Sequence, residues 1–325
     1  MFDLSIIIIN WNTKKALLDC LSSVYSNTKN ISYEVIIVDN ASTDGSVEET
    51  KTKYSSINVI NNERNLGFAA SLNKGIKSAK SKYILSLNSD ARVTEEALES
   101  MVMFMDDNRR VGIAGAQLIN EDGNLQNSFD NIPNLITVLL NKKLFRLLFP
   151  SKYPSKKEQP DNPFEVESVV GACMIIRPEA LVQTGLLDEN YFVFLEETDL
   201  CLQMEKHGWK VMLLPDSKVY HMQGETKKQI LIPAKIEYLN SLYKFFRKNK
   251  SFPSYLLLRL LYPVRLLLQL DIAIILFLVT FGLARTLRLK CYIYFCLFAW
   301  HMLGCPESIT LKGISERDKK RYSNN

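Results

Sequence analysis

Short β-branched runs alternate with amphipathic stretches up to about residue 115, and few folds accept that order. The pattern predicts strands at 4–9, 34–38, 57–60 and 82–87 and helices at 13–27, 45–54, 68–79 and 94–107. Strands separated by helices are joined through crossovers, so the expected class is α/β, a mainly parallel sheet with helices on both faces. In open sheets of this kind, ligands sit outside the carboxyl ends of the strands.

Three of these strands end in polar residues. Asn10 and Asn12 follow the isoleucines of "SIIIINWN", Asp39 and Asn40 follow "YEVIIV", and Asn88, Ser89 and Asp90 close "YILSLNSD". One such residue could simply open a turn or cap the next helix. Three at one edge point to a binding rim.

Of the 325 residues, 47% are apolar and 23% charged, the profile of a folded chain. Six cysteines (Cys20, Cys173, Cys201, Cys291, Cys296 and Cys305) show no C-x-x-C spacing and there are three histidines, which argues against a disulfide framework or structural zinc and fits a reducing cytoplasm. "MFDLSIIIIN" lacks a basic leader and reads as the first strand. No G-x-G-x-x-G follows that strand and no G-x-x-x-x-G-K-[ST] occurs anywhere, so a dinucleotide oxidoreductase and a P-loop NTPase are both disfavoured. A nucleotidyltransferase would call for a glycine-rich, Arg/Lys-bearing N-terminal loop, also missing.

Charge is unevenly distributed. Residues 241–325 hold 14 Lys and Arg against 4 Asp and Glu, leaving 26 against 31 in the first 240. The basic residues alternate with runs such as "LLLQLDIAIILFLV", which favours an anionic membrane surface over nucleic acid as partner. Two apolar stretches, 266–284 and 291–304, are split by Arg285, Arg288 and Lys290, and Gln269 and Asp271 interrupt the first. Their uncharged pieces are too short for a clean span, so helices lying in the interface are expected. A tilted span, or packing on the body or in a homo-oligomer, are the alternatives. The expected organisation is a catalytic domain at 1–235 with a Pro-punctuated insertion at 129–165 (basic amphipathic centre 135–149), a hydrophobic and basic helical region at 236–310, and a basic tail at 311–325.

Two further groups carry chemistry. In "FLEETDLCLQMEKHGW" a helix starting near Glu197 and ending at Gly208 has Glu196, Glu197 and Asp199 crowding its first turn. Acidic residues there favour the helix dipole, but three in four positions exceed that need, and a carboxylate beside a cleft can act as general base. Asp90 at a strand end suits a hard cation such as Mg²⁺ or Mn²⁺. His221, in "VYHMQG", stands at another strand exit.

Taken in order, "SIIIINWNTKKALLDCLSSV", "VIIVDNASTDGS", "NLGFAASLNKGI", "YILSLNSD", "GACMIIRPEAL", "GLLDENYFVFLEETDLCLQMEKHGWKV" and "VYHMQG" resemble the inverting family 2 glycosyltransferases of the GT-A fold, in particular the bacterial rhamnosyltransferase-like branch. The resemblance covers roughly residues 3–225. It implies that Asp39 reads the nucleobase, with Asp44 beside it, and that Asn65, Gly67 and Asn73 line the donor site with the rim residues Asn10, Asn40, Asn88 and Asp90. Asp90 matches the second acid of the family's D-x-D metal motif and His221 the histidine that joins that metal; the first acid is replaced by Asn88. Glu197 occupies the usual catalytic Asp position of E-D-x-D, with Glu196 in reserve. Asp199 and Trp209 are the expected acceptor contacts.

The implied reaction is inverting transfer from a nucleotide-sugar, dTDP-rhamnose by branch resemblance, to a lipid-linked or glycan acceptor at the cytoplasmic face of a bacterial inner membrane. The alternative is an inactive homologue serving as a membrane-bound assembly partner, suggested by Asn88.

Overall fold

The computed structural model describes residues 1–140, 160–222, 231–281 and 283–322. In the first part of the chain, β1 (Phe2–Asn10), α1 (Lys14–Asn27), β2 (Tyr33–Asp39), α2 (Ser46–Lys53), β3 (Asn58–Asn61), α3 (Phe68–Ser78) and β4 (Ser81–Asn88) follow one another as the hydrophobic period dictates. Then come β5 (Ala91–Val93), α4 (Ala97–Asp107), β6 (Val111–Ile119), β7 (Phe129–Asp130) and α5 (Leu135–Leu139). After them lie β8 (Phe164–Glu165), β9 (Ser168–Val169), β10 (Cys173–Ile176), α6 (Pro178–Thr184), α7 (Glu196–Lys206) and β11 (Lys210–His221).

The sheet order is β3-β2-β1-β4-β10-β6-β11-β5, with β8 beside β11. β3, β2, β1 and β4 pair in parallel; β10 runs antiparallel between β4 and β6; β6 and β11 are parallel to each other. The sheet is therefore mixed: the expected parallel half is contiguous, and β10, β5 and β8 run against the other strands. Because β10 reverses the direction twice over, the carboxyl ends of β1, β2, β3, β4, β6 and β11 share one edge, and the start of β10 joins them there.

Period-two alternation sorts the side chains onto two cores. Leu4, Ile6 and Ile8 of β1 pack on one face with Leu17, Cys20 and Leu21 of α1 and Leu98, Met101 and Val102 of α4. Ile7, Ile36 and Ile84 pack on the other with Leu72 of α3, Leu181 of α6 and Leu200 and Met204 of α7. Helices thus cover both faces, as a buried parallel sheet requires. α3 lies so close to β1 that a Cβ on Gly75 would stand 2.4 Å from the Ile7 side chain.

The chain divides into two compact units. The first comprises Met1–Ile132, Tyr153–Tyr191 and Glu196–Glu225; the second comprises Pro133–Lys152, Phe192–Leu195 and Thr226–Asn325. Within the second unit, α8 (Leu231–Asn249), α9 (Phe252–Val279), α10 (Arg285–Met302) and α11 (Leu311–Tyr322) follow in sequence. α9 begins well before the apolar run expected at 266–284 and continues through Pro263. At 28 residues it is about 42 Å long at 1.5 Å per residue, and it is long and apolar enough to cross a membrane, with 11% of its most apolar window buried. Arg265 donates to the Val138 carbonyl at the end of α5. Most of the expected amphipathic centre at 135–149 lies outside the described residues.

Candidate active site

The rim residues of β1 and β2 are held from within. Asn10, fully buried, donates through Nδ2 to Asp39 Oδ1 at 2.7 Å and to Ser46 Oγ at 2.7 Å. Its Oδ1 accepts from Thr13 Oγ1 at 2.8 Å, and the same hydroxyl reaches Ser89 Oγ at 2.9 Å. Asp39 Oδ2 accepts the Ser42 N–H at 2.9 Å. Asn10 and Asp39 stand opposite each other in the ladder, and Asn88 pairs with Ile9 one step back on β1's other side. Asp44 accepts the backbone N–H groups of Lys14 (2.8 Å) and Ser46 (3.1 Å). Partial burial works against its charge, but hydrogen bonds from the Ser46 hydroxyl and these amides prevail and hold the carboxyl below its ordinary range.

The next loop is organised by Asn40. Its Oδ1 accepts from Ser71 Oγ at 2.7 Å and Asn62 Nδ2 at 2.9 Å, and its Nδ2 donates to the Gly67 carbonyl at 3.3 Å. Asn65 Oδ1 accepts the Gly67 N–H at 2.9 Å. Gly67 has φ +83°, which a side chain would strain, and it launches α3 with the helix N-terminus toward the rim. Asn73 is buried, and its amide is committed to the Leu187 carbonyl (2.8 Å), Glu189 Oε1 (2.9 Å) and the Leu187 N–H (3.1 Å). It therefore clamps the segment before α7 and has no amide hydrogen left for a donor.

Asp90 and His221 converge: Asp90 Oδ1 lies 3.4 Å from His221 Nε2. The contact follows from the antiparallel pairing of Ala91 with His221 and is tightened by the Met222 N–H donating to the Asp90 carbonyl at 3.1 Å. A carboxylate oxygen and an imidazole nitrogen this close suit a divalent cation, and two protein ligands leave positions for phosphate oxygens. Among the described residues no group of three His, Cys, Asp or Glu could hold a metal alone.

Glu197 reaches the same edge through β10. The Asn88 N–H donates to the Ala172 carbonyl at 2.9 Å, so the strand start beside Gly171 abuts the end of β4. A Cβ on Gly171 would lie 3.6 Å from Glu197 Cβ and Cγ, and the Gly171 backbone N–H bonds the Glu197 carboxylate. Glu197 is half-buried, yet its Oε2 is buried and makes no hydrogen bond. Burial pushes this carboxyl above its ordinary range; backbone N–H groups at the helix start and of Gly171 oppose the shift, and Asp130 adds to it. Just before the helix, Phe194 (φ +73°) and Leu195 (φ +67°) are left-handed, an unfavourable conformation for bulky residues.

Glu196, at 4% exposure, lies deeper than Glu197. Asp199, at 2%, faces the interior near Tyr191, whose hydroxyl is driven upward first by burial and then by the Asp199 charge. Little of its carboxylate meets bulk solvent. Trp209 is displaced further: it precedes the first residue of β11, whereas His221 ends that strand. Lys210 pairs with Val111 and Tyr220 with Ile119, so Lys210 and Tyr220 lie roughly 26 Å apart along the eight steps of β6 between their partners. Trp209 therefore sits at the opposite edge, its indole N–H bonded to Gln183 Oε1 at 3.0 Å and its ring against Gly112. The direction of β11 thus carries Trp209, an expected acceptor contact, away from the edge that holds His221. Gly171 and Asp130, by contrast, had no role assigned from sequence, because both act only through the β10 reversal and the β7–β9 pairing.

The fold has close counterparts among solved structures. A mannosyltransferase from Pyrobaculum calidifontis, solved in complex with GDP-mannose and Mn²⁺, superposes with a TM-score of 0.58 at 15% identity over 94% of this chain and 87% of that one. GalNAc-T7, solved with UDP, GalNAc and Mn²⁺, gives 0.56 at 16% identity over 76% of this chain and 48% of the other. In sequence, the chain is 23% identical to an N-acetylglucosaminyl-diphospho-decaprenol L-rhamnosyltransferase of Mycobacterium tuberculosis, over 59% of this chain and 67% of the relative. It is also 23% identical to the dTDP-rhamnosyl transferase RfbF of Shigella flexneri, over 69% and 70%. The model of glycosyl transferase family 2 matches residues 5–185. With more than half of its length inside that match, and a GT-A sheet beneath it, the chain belongs to glycosyl transferase family 2.

Proposed function

We propose that the chain transfers rhamnose from dTDP-rhamnose, with inversion at the anomeric carbon, to a hydroxyl of a lipid-linked or polysaccharide acceptor in bacterial cell-surface polysaccharide synthesis. The observation that carries this reading is that the Asp90–His221 pair and Glu197, packed beside Gly171 at the start of β10, lie along the same sheet edge, where Asn88 bonds Ala172. The choice of sugar rests on the rhamnosyl relatives.

In this reading Asp39 meets the nucleobase, and the loops held by Asn10 and Asn40 shape the nucleotide pocket. The N-termini of α1 and α3 face the rim, where the helix dipoles favour phosphate, although the first N–H of α1, that of Lys14, is already taken by Asp44. Asp90 and His221 hold Mg²⁺ or Mn²⁺; when bound, the cation supplies positive charge to the departing diphosphate. The Glu197 carboxylate takes the proton of the acceptor hydroxyl as that hydroxyl's oxygen bonds the anomeric carbon and the bond from that carbon to the diphosphate oxygen breaks. A base raised by burial and free of a hydrogen-bond partner at Oε2 is suited to receive that proton.

The second unit suits a lipid surface. Leu260, Leu268, Ile272, Ile275, Leu278 and Val279 of α9 are all well exposed, and Arg285, Arg288 and Lys290 follow in α10. An enzyme held by such a face at the cytoplasmic leaflet meets a lipid-linked acceptor where that acceptor resides.

The test is purified full-length chain with Mn²⁺ and a panel of nucleotide sugars. dTDP-rhamnose should raise the melting temperature and be turned over, and Glu197→Gln should cut transfer by about 10²–10⁴ while leaving the thermal shift by donor intact. Preference for another nucleotide sugar refutes the rhamnosyl assignment, and an active Glu197→Gln refutes the base.

A further inference from the structure

We infer that Thr13 is a positioning residue that ties the loop bearing Asp90 to the nucleoside end of the site, so that a nucleoside seated at Asp39 tightens cation binding at Asp90. This goes further than the proposed roles of Asp39 at the nucleobase and of Asp90 with His221 at the cation, and it rests on both.

Thr13 occupies the N-cap position of α1, where a threonine hydroxyl ordinarily accepts from the first helical N–H groups. Its side chain makes no such bond. The Lys14 N–H goes instead to Asp44 Oδ2 at 2.8 Å, so the helix start does without the Thr13 hydroxyl. That hydroxyl lies 2.8 Å from Asn10 Oδ1 and 2.9 Å from Ser89 Oγ, residues 3 and 76 positions away. Two features of the chain bring the three together. Asn12 turns left-handed at φ +53°, a conformation asparagine tolerates, with its Oδ1 accepting the Thr43 N–H at 2.8 Å, and this folds Thr13 back onto Asn10. β1 and β4 are parallel neighbours with Ile9 opposite Asn88, so the residues that follow the two strand ends meet.

A hydroxyl carries one hydrogen and a carbonyl oxygen only accepts. The Thr13 hydrogen therefore goes to Asn10, and the Ser89 hydroxyl supplies the hydrogen of the second bond. Asn10 continues the series, since its Nδ2 donates to Asp39 Oδ1 at 2.7 Å. One chain of donors thus runs from Ser89 through Thr13 and Asn10 to the Asp39 carboxylate, and bonds arranged head to tail polarise one another. Asp90 is the next residue after Ser89, and its Oδ1 lies 3.4 Å from His221 Nε2. A nucleoside that fixes Asp39 fixes this chain, and the cation then meets a loop whose ordering is already done. By linkage, the cation favours the nucleoside by the same factor.

The experiment titrates the full-length chain with Mn²⁺ and reads free Mn²⁺ by electron paramagnetic resonance, with and without saturating thymidine. Thymidine has no phosphate to bridge to the metal, so any effect passes through the protein. In the wild type thymidine should lower the Kd for Mn²⁺ at least about fivefold, the lower end of ordinary coupling between sites. Thr13→Val keeps the shape and removes the hydroxyl. Ser89→Ala cuts the same bond from the other side and leaves Asn10 its partner. Each should abolish the effect of thymidine with circular dichroism unchanged, and Thr13→Ser should restore it. A Kd for Mn²⁺ that thymidine leaves unchanged in the wild type, or improves equally in Thr13→Val and Ser89→Ala, overturns the role of Thr13. Wild-type chain that binds Mn²⁺ no more tightly than Asp90→Ala does removes the metal reading as well, so the two failures are told apart.

Discussion

Asp90 Oδ1 and His221 Nε2 stand 3.4 Å apart, joining the loop after β4 to the last residue of β11. In the proposed reading, with Asn88 where the family's first acid would be, these two side chains would carry the protein's share of a metal site. Asp90→Asn keeps the shape and removes the charge. The Mn²⁺ concentration for half-maximal activity should rise about 10–100-fold, as loss of a well-placed partner typically costs. Calorimetric titration of donor with and without Mn²⁺ should lose its metal dependence in step; an unchanged Mn²⁺ requirement would sink the assignment.

Asn10 is a buried amide whose hydrogen bonds knit Asp39, Ser46 and Thr13 into one loop. Asn10→Ala leaves those partners unpaired in a site closed to water, which costs about 1–3 kcal/mol. Urea unfolding should report that loss, and thymidine diphosphate should no longer raise the melting temperature. Wild-type stability together with normal nucleotide binding would show that the loop holds without it.

Much of this was legible in the chain because it is local. Four isoleucines in a row specify β1, and strand–helix alternation specifies the parallel half, to within a few residues. β5 escaped notice: three residues at a sheet edge carry no period, and their place depends on pairing with β11. The reversal at β10 was hidden for the same reason. The types Asn10 and Asn40 signalled a polar rim and the resemblance added Asn73, but their partners are distant in sequence, so pattern alone could not tell that they hold loops. Trp209 lies at the other end of β11 from His221, a separation that only the strand's direction in the sheet reveals.

Trp209 packs on Gly112 at the far edge and bonds Gln183. Trp209→Ala should therefore lower stability, by about 3–5 kcal/mol at most for truncating so large a side chain and less for one only partly buried. The KM for acceptor should stay at the wild-type value. A rise in that KM with little change in melting temperature would return Trp209 to the acceptor site.

The burial that would make Glu197 a base also costs stability. Burial raises its folded-state pKa above the ordinary carboxylate value. Between those two values the folded chain keeps a proton that the unfolded chain releases, so stability falls as pH rises through that window, and the whole penalty is present above it. Glu197→Gln removes the ionisation. Its melting temperature should exceed wild type at pH 7.5, with the difference gone at pH 4, while the wild-type rate should fall with acidity at a pH above that of an ordinary glutamate. Equal melting temperatures at both pH values would show that the carboxyl is not held in this way.

α9 presents a long apolar surface: Leu268 and Ile275 are each 59% exposed and Leu278 is 65% exposed. Leaving such side chains in water is unfavourable by roughly 1.5–3 kcal/mol each relative to full burial, and the basic residues opening α10 favour an anionic surface. Sedimentation with vesicles containing phosphatidylglycerol should therefore capture the full-length chain. Leu268→Glu with Leu278→Glu should release it without lowering the melting temperature, because neither side chain is buried in the fold. Raising salt should weaken only the electrostatic share, since screening acts on the arginines and lysine and leaves apolar burial in place. Capture that salt abolishes entirely, or that survives both substitutions, would mean that the leucine face of α9 is not what holds the protein to lipid.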